Sequence, residues 1–371
     1  MRLAHITYTY FPIIGGGDVY VEDLRTALAA RGHQQIVLAR RSRETAPWFV
    51  PVANPLRGLP AEFWTHALGL VSRAGVIRAA DAVIAHYPVY ALVALALAGR
   101  RRPGGAETRV VGVSHGVTWD DRPRSLRGRI KRGLARSAFR RCSAFVANDS
   151  NFLREMGVDV GPGERFFQEL APGRWFIPNC VDAERFRPGE GWEAWRGLRP
   201  IIVPRNLFFN RGVHLAIAAF ARFRLAHPQT TLVIVGAPSR AGYARALRGL
   251  VRRLGLREEV VFWGPVAHAD MPAVYAAAEM VLIPSVAGEG TSLSALEAMA
   301  CGIATISTDI GGLADLPTYH CAPNAGALAE AMAQVYQRRV EVGREQLTEV
   351  RRTFTRGNWE DAWARVIESL A

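Results

Sequence analysis

A stretch in the last third of the chain joins a strand, a glycine turn and a helix start, with polar side chains at the junctions. Residues 281–283 have the pattern of a buried strand, and Pro284 ends it because proline has no N–H for a strand ladder. A turn follows at 288–290, helical spacing predicts a helix from near Thr291, and Gly302 ends that helix. Free N–H groups at a helix N-terminus favour an anion, above all a phosphate.

Two carboxylates flank this predicted phosphate site. Glu289 lies in the turn and Glu297 lies inside the helix. Because carboxylates repel phosphate, they suit the hydroxyl groups of a sugar or ribose attached to it. Each also has a structural interpretation: Glu297 completes a capping box that begins at Ser294, and Glu289 is a solvated loop charge. The two glutamates around one turn favour the ligand-binding interpretation.

Two arginines bracket another predicted strand–helix loop. Arg205 follows the strand at 201–203, and Arg211 with Gly212 opens the next helix. Guanidinium groups supply fixed charge and forked donors, which suit a diphosphate. Because this loop and the 290–292 turn both follow parallel strands, we expect them to converge on one anion.

The first half of the chain offers a second ligand loop. Gly15, Gly16 and Gly17 follow the first strand, where a nucleotide-binding fold has its phosphate loop, although the G-x-G-x-x-G signature is not met. An ordinary tight turn is the alternative. His86 and His115 each follow a predicted strand, and ligands of open α/β sheets bind at such ends. A single histidine is more often structural, and the pattern favours His115 over His86.

The composition is that of a folded chain with two domains. Its 371 residues, 49% of them hydrophobic, suffice for two domains of roughly 150–200 residues. The net charge is +13, with Lys131 the only lysine, and this favours nucleic acid, anionic lipid or phosphorylated partners. The four cysteines form no C-x-x-C pair, so we expect reduced thiols and no zinc site.

Residues 122–141 form a basic segment with no acidic residue. On a helix, one face carries the arginines Arg129, Arg132, Arg136 and Arg140. Another face carries Leu126, Ile130, Leu134 and Ala138. One interpretation is a solvated surface helix that packs on the sheet. The other is an amphipathic helix that rests on an anionic membrane or binds an acidic acceptor.

Strands and helices alternate in two series, which predicts an α/β fold of two facing, doubly wound, Rossmann-like domains with the ligand in the cleft. We expect an N-terminal, acceptor-binding domain over 1–183 and a C-terminal, nucleotide-sugar-binding domain over 184–356, with a last helix at 357–371. Residues 46–62 have the composition of an irregular loop at a substrate surface. The chain enters a strand directly, without a signal peptide, and has no apolar run of spanning length, so a cytoplasmic protein is expected.

These residues resemble the retaining glycosyltransferases of family 4, which have the GT-B fold. The most specific part is Glu289 and Glu297 in the family's E-x7-E pattern, with the sequence of 296–302. Nearly the whole chain takes part, through Gly15, Gly16, Asp18, Asn179, Asp182, Arg205, Arg211, Gly212 and the strand at 232–236. The resemblance implies that the last helix crosses back onto the first domain.

The resemblance also implies roles for the site residues. Arg205 and Arg211 would hold the donor diphosphate, and Glu297 would bind the ribose. Glu289 would contact the donor sugar near its reacting carbon, and His115 would line the acceptor side of that sugar. The other donor contacts would come from Gly15, Gly16, Gly17, Val266 (against the base), Gly290, Thr291, Ser292 and Leu293.

The chain departs from the family at three places. Arg211 stands where lysine is usual, Thr291 and Ser292 replace a commoner Phe-Gly, and the stretch after Gly311 and Gly312 is short. Because arginine also neutralises phosphate, we expect the function to be kept and the geometry to change.

The implied reaction moves a hexose from a nucleoside diphosphate sugar to an acceptor hydroxyl, with the anomeric configuration retained. We expect no cofactor and no metal, because the arginines neutralise the leaving diphosphate and no Asp-x-Asp is present. The sugar and the base, UDP or GDP, are open. The basic segment favours a lipid-linked or envelope-polysaccharide acceptor, with the protein peripheral on the inner membrane face.

Three other functions fit parts of the sequence. One is a sugar-nucleotide epimerase on the same two-domain plan, and product analysis would distinguish it. Another is a basic nucleic-acid-binding protein, which would show steeply salt-dependent binding but has no matching motif. The third, a catalytically silent nucleotide-sugar binder, is disfavoured by the intact Arg205, Glu289 and Glu297.

Overall fold

The computed structural model describes residues 1–10, 15–40, 45–55, 62–99, 107–119, 124–161, 166–238 and 241–370. The chain forms two compact units: unit 1 is Met1–Pro178 with Gly357–Ala371, and unit 2 is Asn179–Arg356. Each unit is an α/β structure on a largely parallel sheet, which confirms the predicted fold of two Rossmann-like domains.

The division between the units falls after Pro178, whereas the sequence placed it after residue 183. Backbone hydrogen bonds explain the difference. The Asn179 N–H donates to the Thr291 hydroxyl at 2.8 Å, and the Val181 N–H donates to the Phe354 carbonyl at 3.0 Å. Residues 179–183 are therefore tied to unit 2.

Unit 1 is built on a sheet that contains eight strands among the described residues. They are β1 (Arg2–Ile6), β2 (Gln34–Arg40), β3 (Phe49–Val52), β4 (Ala82–Ala85), β5 (Arg109–Ser114), β6 (Ala144–Ala147), β7 (Gln168–Ala171) and β8 (Arg174–Phe176). The spatial order is β3-β2-β1-β4-β5-β6-β8-β7, and β7 pairs with β8 in the antiparallel sense. The order reverses between β1 and β4, and the loops after these strands therefore border a crevice of the kind that binds ligands.

Strands β4 and β6 of this sheet are buried at every residue, as expected where helices cover both faces of a sheet. The helices of unit 1 are α1 (Gly16–Ala30), α2 (Glu62–Gly69), α3 (Ala74–Ala79), α4 (Pro88–Ala98), α5 (Leu126–Arg141) and α6 (Ser150–Met156). The predicted glycine turn is the start of α1, with Gly15 as its N-cap. The Asp18 carboxylate accepts the Gly15 N–H at 3.0 Å and the Thr9 hydroxyl at 2.7 Å, so an acidic group closes this helix end.

Unit 2 is built on a sheet whose described strands are all parallel. They are β9 (Pro200–Pro204), β10 (Thr231–Val235), β11 (Val260–Gly264), β12 (Met280–Ile283), β13 (Thr305–Thr308) and β14 (Tyr319–Cys321). The order is β11-β10-β9-β12-β13-β14, so it reverses between β9 and β12. Ligand loops of such a sheet follow the two strands at the reversal.

The helices of unit 2 are α7 (Val213–Phe223), α8 (Ala241–Arg253), α9 (Met271–Ala276), α10 (Leu293–Ala300), α11 (Ala325–Gln337) and α12 (Arg339–Thr353). Helix α10 follows β12 and is nearly all buried, with Leu296, Ala298 and Met299 inaccessible to solvent. A buried helix holds the loop at its N-terminus in place, and this loop carries Glu289.

The last helix, α13 (Arg356–Glu368), packs on unit 1. The indole N–H of Trp363 donates to the Tyr20 hydroxyl at 3.1 Å, and Arg31 pairs with Asp361 at 2.7 Å. Both tryptophans of α13, Trp359 and Trp363, are buried. The predicted return of the chain end to the first domain is therefore observed.

Several short strands were not expected from the sequence. Strand β3 lies inside the predicted loop at 46–62, of which residues 56–61 fall outside the described ranges. It is an edge strand, and proline is tolerated there because its missing N–H can face away from the neighbouring strand. Strands β7, β8 and β14 also lie at or beside sheet edges, and their three or four residues are too few for periodicity to be recognised. Among the described helices, none has both the length and the apolar character that crossing a bilayer requires.

Candidate functional site

The loop between β12 and α10 in unit 2 is fixed from both ends. Ser292 is the N-cap of α10, and its hydroxyl accepts the Ala295 N–H at 3.4 Å. Thr291 accepts the Asn179 N–H through its hydroxyl, and the Asn179 amide donates to the Thr291 carbonyl. The helix begins at Leu293, close to the predicted Thr291, and the capping residue is Ser292 rather than Ser294.

Glu289 lies at the centre of this loop with 5% of its side chain exposed. Its Oε1 accepts the Ser285 hydroxyl at 2.6 Å and lies 3.3 Å from Arg205 Nη2. Arg211 Nη1 donates to the same oxygen. The interpretation of Glu289 as a solvated loop charge is therefore wrong, because the carboxylate is buried between two guanidinium groups.

Arg205 follows β9 directly and is 8% exposed. Its Nη2 donates to the Ser292 hydroxyl at 3.0 Å, which joins it to the N-cap of α10. Its Nε–H is buried and has no hydrogen-bond partner. Burial lowers the pKa of Arg205 to about 10, which still leaves the group cationic at neutral pH. An unpaired donor on a buried cation is costly, and an anion at this point would relieve the cost.

Arg211 ends the short 3₁₀ turn Phe209–Arg211, just before α7. Gly212 follows with φ of 65°, and a Cβ there would lie 1.7 Å from the Pro284 carbonyl oxygen. Only glycine allows this close approach of the two loops, which brings Arg211 to Glu289. Burial, and then the charge of Arg205, lower the pKa of Arg211 to about 9.

Glu297 lies on α10 and is also buried, at 9% side-chain exposure. His268 Nε2 lies 2.8 Å from its Oε1, and the Tyr275 hydroxyl donates to its Oε2 at 3.0 Å. The capping-box interpretation of Glu297 is therefore wrong. His268 and Tyr275 were missed in the sequence, and the available signal was the position of His268 two residues after Val266 in the predicted base loop.

The remaining donor candidates of unit 2 lie on the loop before α10 and on the loop after β11. Gly290 is buried between Glu289 and Thr291, and Leu293 is the first residue of α10. Val266 is partly exposed in the loop after β11. The Glu289 carbonyl accepts the Gly312 N–H at 3.0 Å, so the loop after β13 also supports the site. Two cations, a carboxylate and a helix N-terminus thus converge in unit 2.

The candidates of unit 1 gather at the carboxyl ends of β1, β4 and β5. His115 directly follows β5, and its ring lies 4.7 Å from that of Tyr20 and 5.7 Å from that of Tyr87. The Tyr87 hydroxyl is also 3.5 Å from where a Cβ at Gly17 would lie, so the start of α1 and His115 share this tyrosine. His86, after β4, is fully buried and stacks on His115. Burial lowers the pKa of His115 to about 4, so this imidazole is neutral at pH 7.

The basic segment forms α5, but its orientation differs from the expected one. The helix packs through Gly128, Ala135, Ala138 and Phe139. Leu126 is 72% exposed and Ile130 is 53% exposed, so two residues of the predicted apolar face point to solvent. Arg129, Arg136 and Arg140 are exposed, and Arg132 pairs with Glu155 at 3.2 Å. The outer face of α5 therefore combines apolar and basic side chains.

Within the described ranges, no group of three or more His, Cys, Asp or Glu residues is arranged to hold a metal ion. The four cysteines are present as free thiols.

Two family models match the chain. Residues 14–166 match the model described as Glycosyltransferase Family 4, and residues 201–338 match the one described as Glycosyl transferases group 1. The first match lies in unit 1 and the second in unit 2.

Individual proteins agree with these matches. The glycogen synthase of Mycobacterium tuberculosis is 28% identical over 94% of this chain and 90% of its own length. Sucrose-phosphate synthase from Thermosynechococcus elongatus has a TM-score of 0.82 at 20% identity, over 100% of this chain and 98% of that one. Anabaena HepE, solved with UDP and glucose, has a TM-score of 0.77 at 18% identity and full coverage of both chains. At these identities the two structural likenesses establish the fold.

Proposed function

Because this chain belongs to glycosyltransferase family 4, we propose that it moves a sugar from a nucleoside diphosphate sugar to an acceptor hydroxyl with retention of configuration. The observation that carries the proposal is the convergence of Arg205, Arg211 and the N-terminus of α10 around Glu289. Two cations and one carboxylate leave one net positive charge, and the buried Arg205 Nε–H has no partner. A diphosphate supplies the missing negative charge and acceptors.

The barrier to this reaction is charge separation between a cationic sugar ring and a departing diphosphate. Arg205, Arg211 and the free N–H groups of α10 would stabilise the leaving group in a site from which water is largely excluded. These groups are already oriented by Ser292 and Glu289, so little reorganisation is needed when the charge develops. No carboxylate nucleophile is assigned, and the leaving phosphate itself would take the proton of the incoming hydroxyl.

The other site residues have distinct proposed roles. Glu297, held by His268 and Tyr275, would accept the ribose hydroxyls of the donor. Glu289 would contact the sugar near its reacting carbon once the diphosphate competes for its arginines. His115, neutral at pH 7, would line the acceptor side of the sugar. The epimerase alternative has no support in the two matched family models, which describe glycosyl transferases, or in the glycogen synthase and the sucrose-phosphate synthase.

The decisive test is donor binding followed by product analysis. The protein is incubated with UDP-, GDP- and ADP-sugars, and we expect thermal stabilisation by one nucleotide class, since a ligand that binds only the folded state raises Tm. UDP is the first candidate because HepE was solved with it. With that donor and a glycan acceptor we expect release of the nucleoside diphosphate, a product with the donor's anomeric configuration, and unchanged turnover in EDTA. An epimerised donor without transfer would contradict the transferase proposal. Loss of turnover in EDTA would contradict the expectation that no metal is needed.

We further propose that α5 places the protein on an anionic membrane surface, as a peripheral protein of the inner membrane face. Support comes from the solvent-facing Leu126 and Ile130, which lie among exposed arginines on a helix with no acidic residue. Arginine draws such a helix to anionic headgroups, and exposed aliphatic side chains insert between them. The acceptor would then be a lipid-linked or envelope-polysaccharide precursor.

Sedimentation with vesicles tests the membrane proposal. For the double variant Leu126→Ser and Ile130→Ser, we expect binding to phosphatidylglycerol-containing vesicles to fall by about tenfold or more, since burying one such side chain is worth roughly 1.5–3 kcal/mol. Leu225→Ser is the matched control, because Leu225 is 83% exposed but lies in unit 2. Equal binding of both variants, or wild-type binding to pure phosphatidylcholine that matches binding to anionic vesicles, would contradict the proposal.

A further inference from the structure

Three histidines of unit 1 form a stacked column across the sheet. His5 belongs to β1, His86 follows β4 and His115 follows β5, and these strands are neighbours in the order β1-β4-β5. The rings of His5 and His86 are 5.5 Å apart and inclined by 15°, and those of His86 and His115 are 5.8 Å apart and inclined by 8°. His5 and His86 have no exposed surface. The column therefore links the sheet interior to the strand end where His115 lies.

Hydrogen bonds determine which nitrogen of each buried ring carries a proton. The amide N–H of Gln35, on β2, donates to the His33 carbonyl at 3.0 Å, so its oxygen faces His5. That oxygen lies 2.9 Å from His5 Nε2, which must therefore be the protonated nitrogen. His5 Nδ1 is then an acceptor, and His86 Nε2, at 3.2 Å, must donate to it. His86 Nδ1 remains a buried acceptor without a partner.

The surroundings keep this column uncharged. Burial lowers the pKa of His5 and of His115 to about 4. Burial, and then the neighbouring histidines, hold the pKa of His86 well below its usual range. Two charged groups on α1 also act on His5: the Arg25 cation lowers its pKa, and the Glu22 carboxylate raises it by a smaller amount. The groups next to His115 are the phenols of Tyr20 and Tyr87. The Gln35 amide oxygen accepts a hydrogen bond from His5 Nε2 and, unlike a carboxylate, adds no negative charge next to the ring.

We infer that Gln35, His5 and His86 are positioning residues that hold His115 as a neutral imidazole in one orientation for the sugar-transfer step. The inference rests on the proposed function, in which His115 lies at the reacting sugar. A proton added at His5 Nδ1 would reverse the direction of the hydrogen bond to His86. A charge on any one of the three rings would also disfavour a charge on the next ring. None of the three residues needs to touch the substrate, since they act through the stack.

The substitution Gln35→Glu tests this directly, because glutamate has the same shape and adds one charge. We expect the carboxylate to raise the pKa of His5, so that His5 Nδ1 becomes a donor and His86 has to take the opposite tautomer. Nitrogen-15 NMR of the histidines reports both changes. We expect kcat to fall by about ten- to a hundredfold at pH 6, since a misplaced group near the chemistry costs this much. The donor KM should be unchanged, because the donor anion site lies in unit 2.

The sign of the pH dependence follows from the same pKa change. Protonation of His5 is lost as the pH rises, so the kcat of the variant should recover towards alkaline pH, while the column causes no change in the wild type between pH 6 and pH 8. Gln34→Glu is the matched control, because Gln34 is the exposed neighbour on β2 and gains the same charge. If Gln35→Glu does not fold, Gln35→Met removes the acceptor at similar size. His5 should then no longer be restricted to the tautomer protonated at Nε2.

Each outcome is informative. A changed His86 tautomer with kcat equal to that of Gln34→Glu would overturn the positioning role, and an unchanged tautomer would overturn the hydrogen-bond relay itself. If the wild type transfers no sugar, the proposed function fails, but the NMR result still decides whether the relay exists. A fall in kcat that does not recover with pH would assign Gln35 a purely structural role.

Discussion

Replacing Arg205 by alanine is expected to lower kcat/KM for the donor by about 10²–10³-fold, the usual cost of losing one preorganised group that stabilises developing charge. Arg205 is the group that joins both halves of the anion site, because it bonds the N-cap Ser292 and pairs with Glu289. Its unpaired Nε–H is a further donor available to the diphosphate. Steady-state kinetics and the calorimetric Kd for the free nucleoside diphosphate measure the effect.

Arg199→Ala is the matched control for this experiment. Arg199 precedes β9, which Arg205 follows, and it pairs with Glu279 at 2.8 Å instead of a site residue. Its loss should leave donor kinetics unchanged. Arg205→Lys should have an intermediate effect, because lysine keeps the charge but lacks the forked donors. Wild-type affinity for the nucleoside diphosphate in Arg205→Ala would remove the main support for the proposed donor site.

Replacing Glu289 by glutamine is expected to destabilise unit 2 and to make its stability depend on an anion. The substitution leaves two largely buried guanidinium groups without their carboxylate. We expect a loss of about 3 kcal/mol, the low end for breaking a buried ion pair, because Arg211 keeps 30% of its side chain exposed. Thermal unfolding should therefore begin at a lower temperature. Pyrophosphate should restore much of the loss, because it supplies the missing negative charge between the arginines.

Glu279→Gln provides the control with the same chemistry elsewhere in unit 2. Glu279 also bridges two arginines, Arg199 at 2.8 Å and Arg339 at 2.5 Å, but its side chain is 18% exposed. It should destabilise less than Glu289→Gln and should gain nothing from pyrophosphate. If pyrophosphate stabilises both variants equally, the arginines around Glu289 are not a specific anion site.

Much of the candidate site could be predicted because its chemistry is local in the sequence. The strand, the glycine turn and the helix start around Glu289 lie within about twenty residues, and a helix N-terminus attracts anions wherever it occurs. The alternation of strands and helices likewise predicted two parallel sheets, since a parallel connection needs a crossover helix. The position of Arg205 after its strand was enough to place it at the carboxyl edge of that sheet.

The partners of these residues could not be predicted in the same way. That Glu289 is clamped by both arginines, and that Glu297 is held by His268 and Tyr275, depends on loops brought together across the sheet. The structural interpretations of both glutamates were consistent with the local sequence. Burial excluded the solvated interpretation of Glu289, and the bonds to His268 and Tyr275 excluded the capping box of Glu297. Neither observation is contained in the local sequence.

The sequence by itself determined the strands, the helices and the residue types at the candidate site, because periodicity, glycine turns and helix ends are properties of neighbouring residues. Only the tertiary structure decided which face of α5 is buried and that His5, His86 and His115 form one column. These depend on strand order and on the packing of residues roughly 30 to 80 positions apart. Such contacts form when the whole core packs, so the pattern within one segment does not predict them.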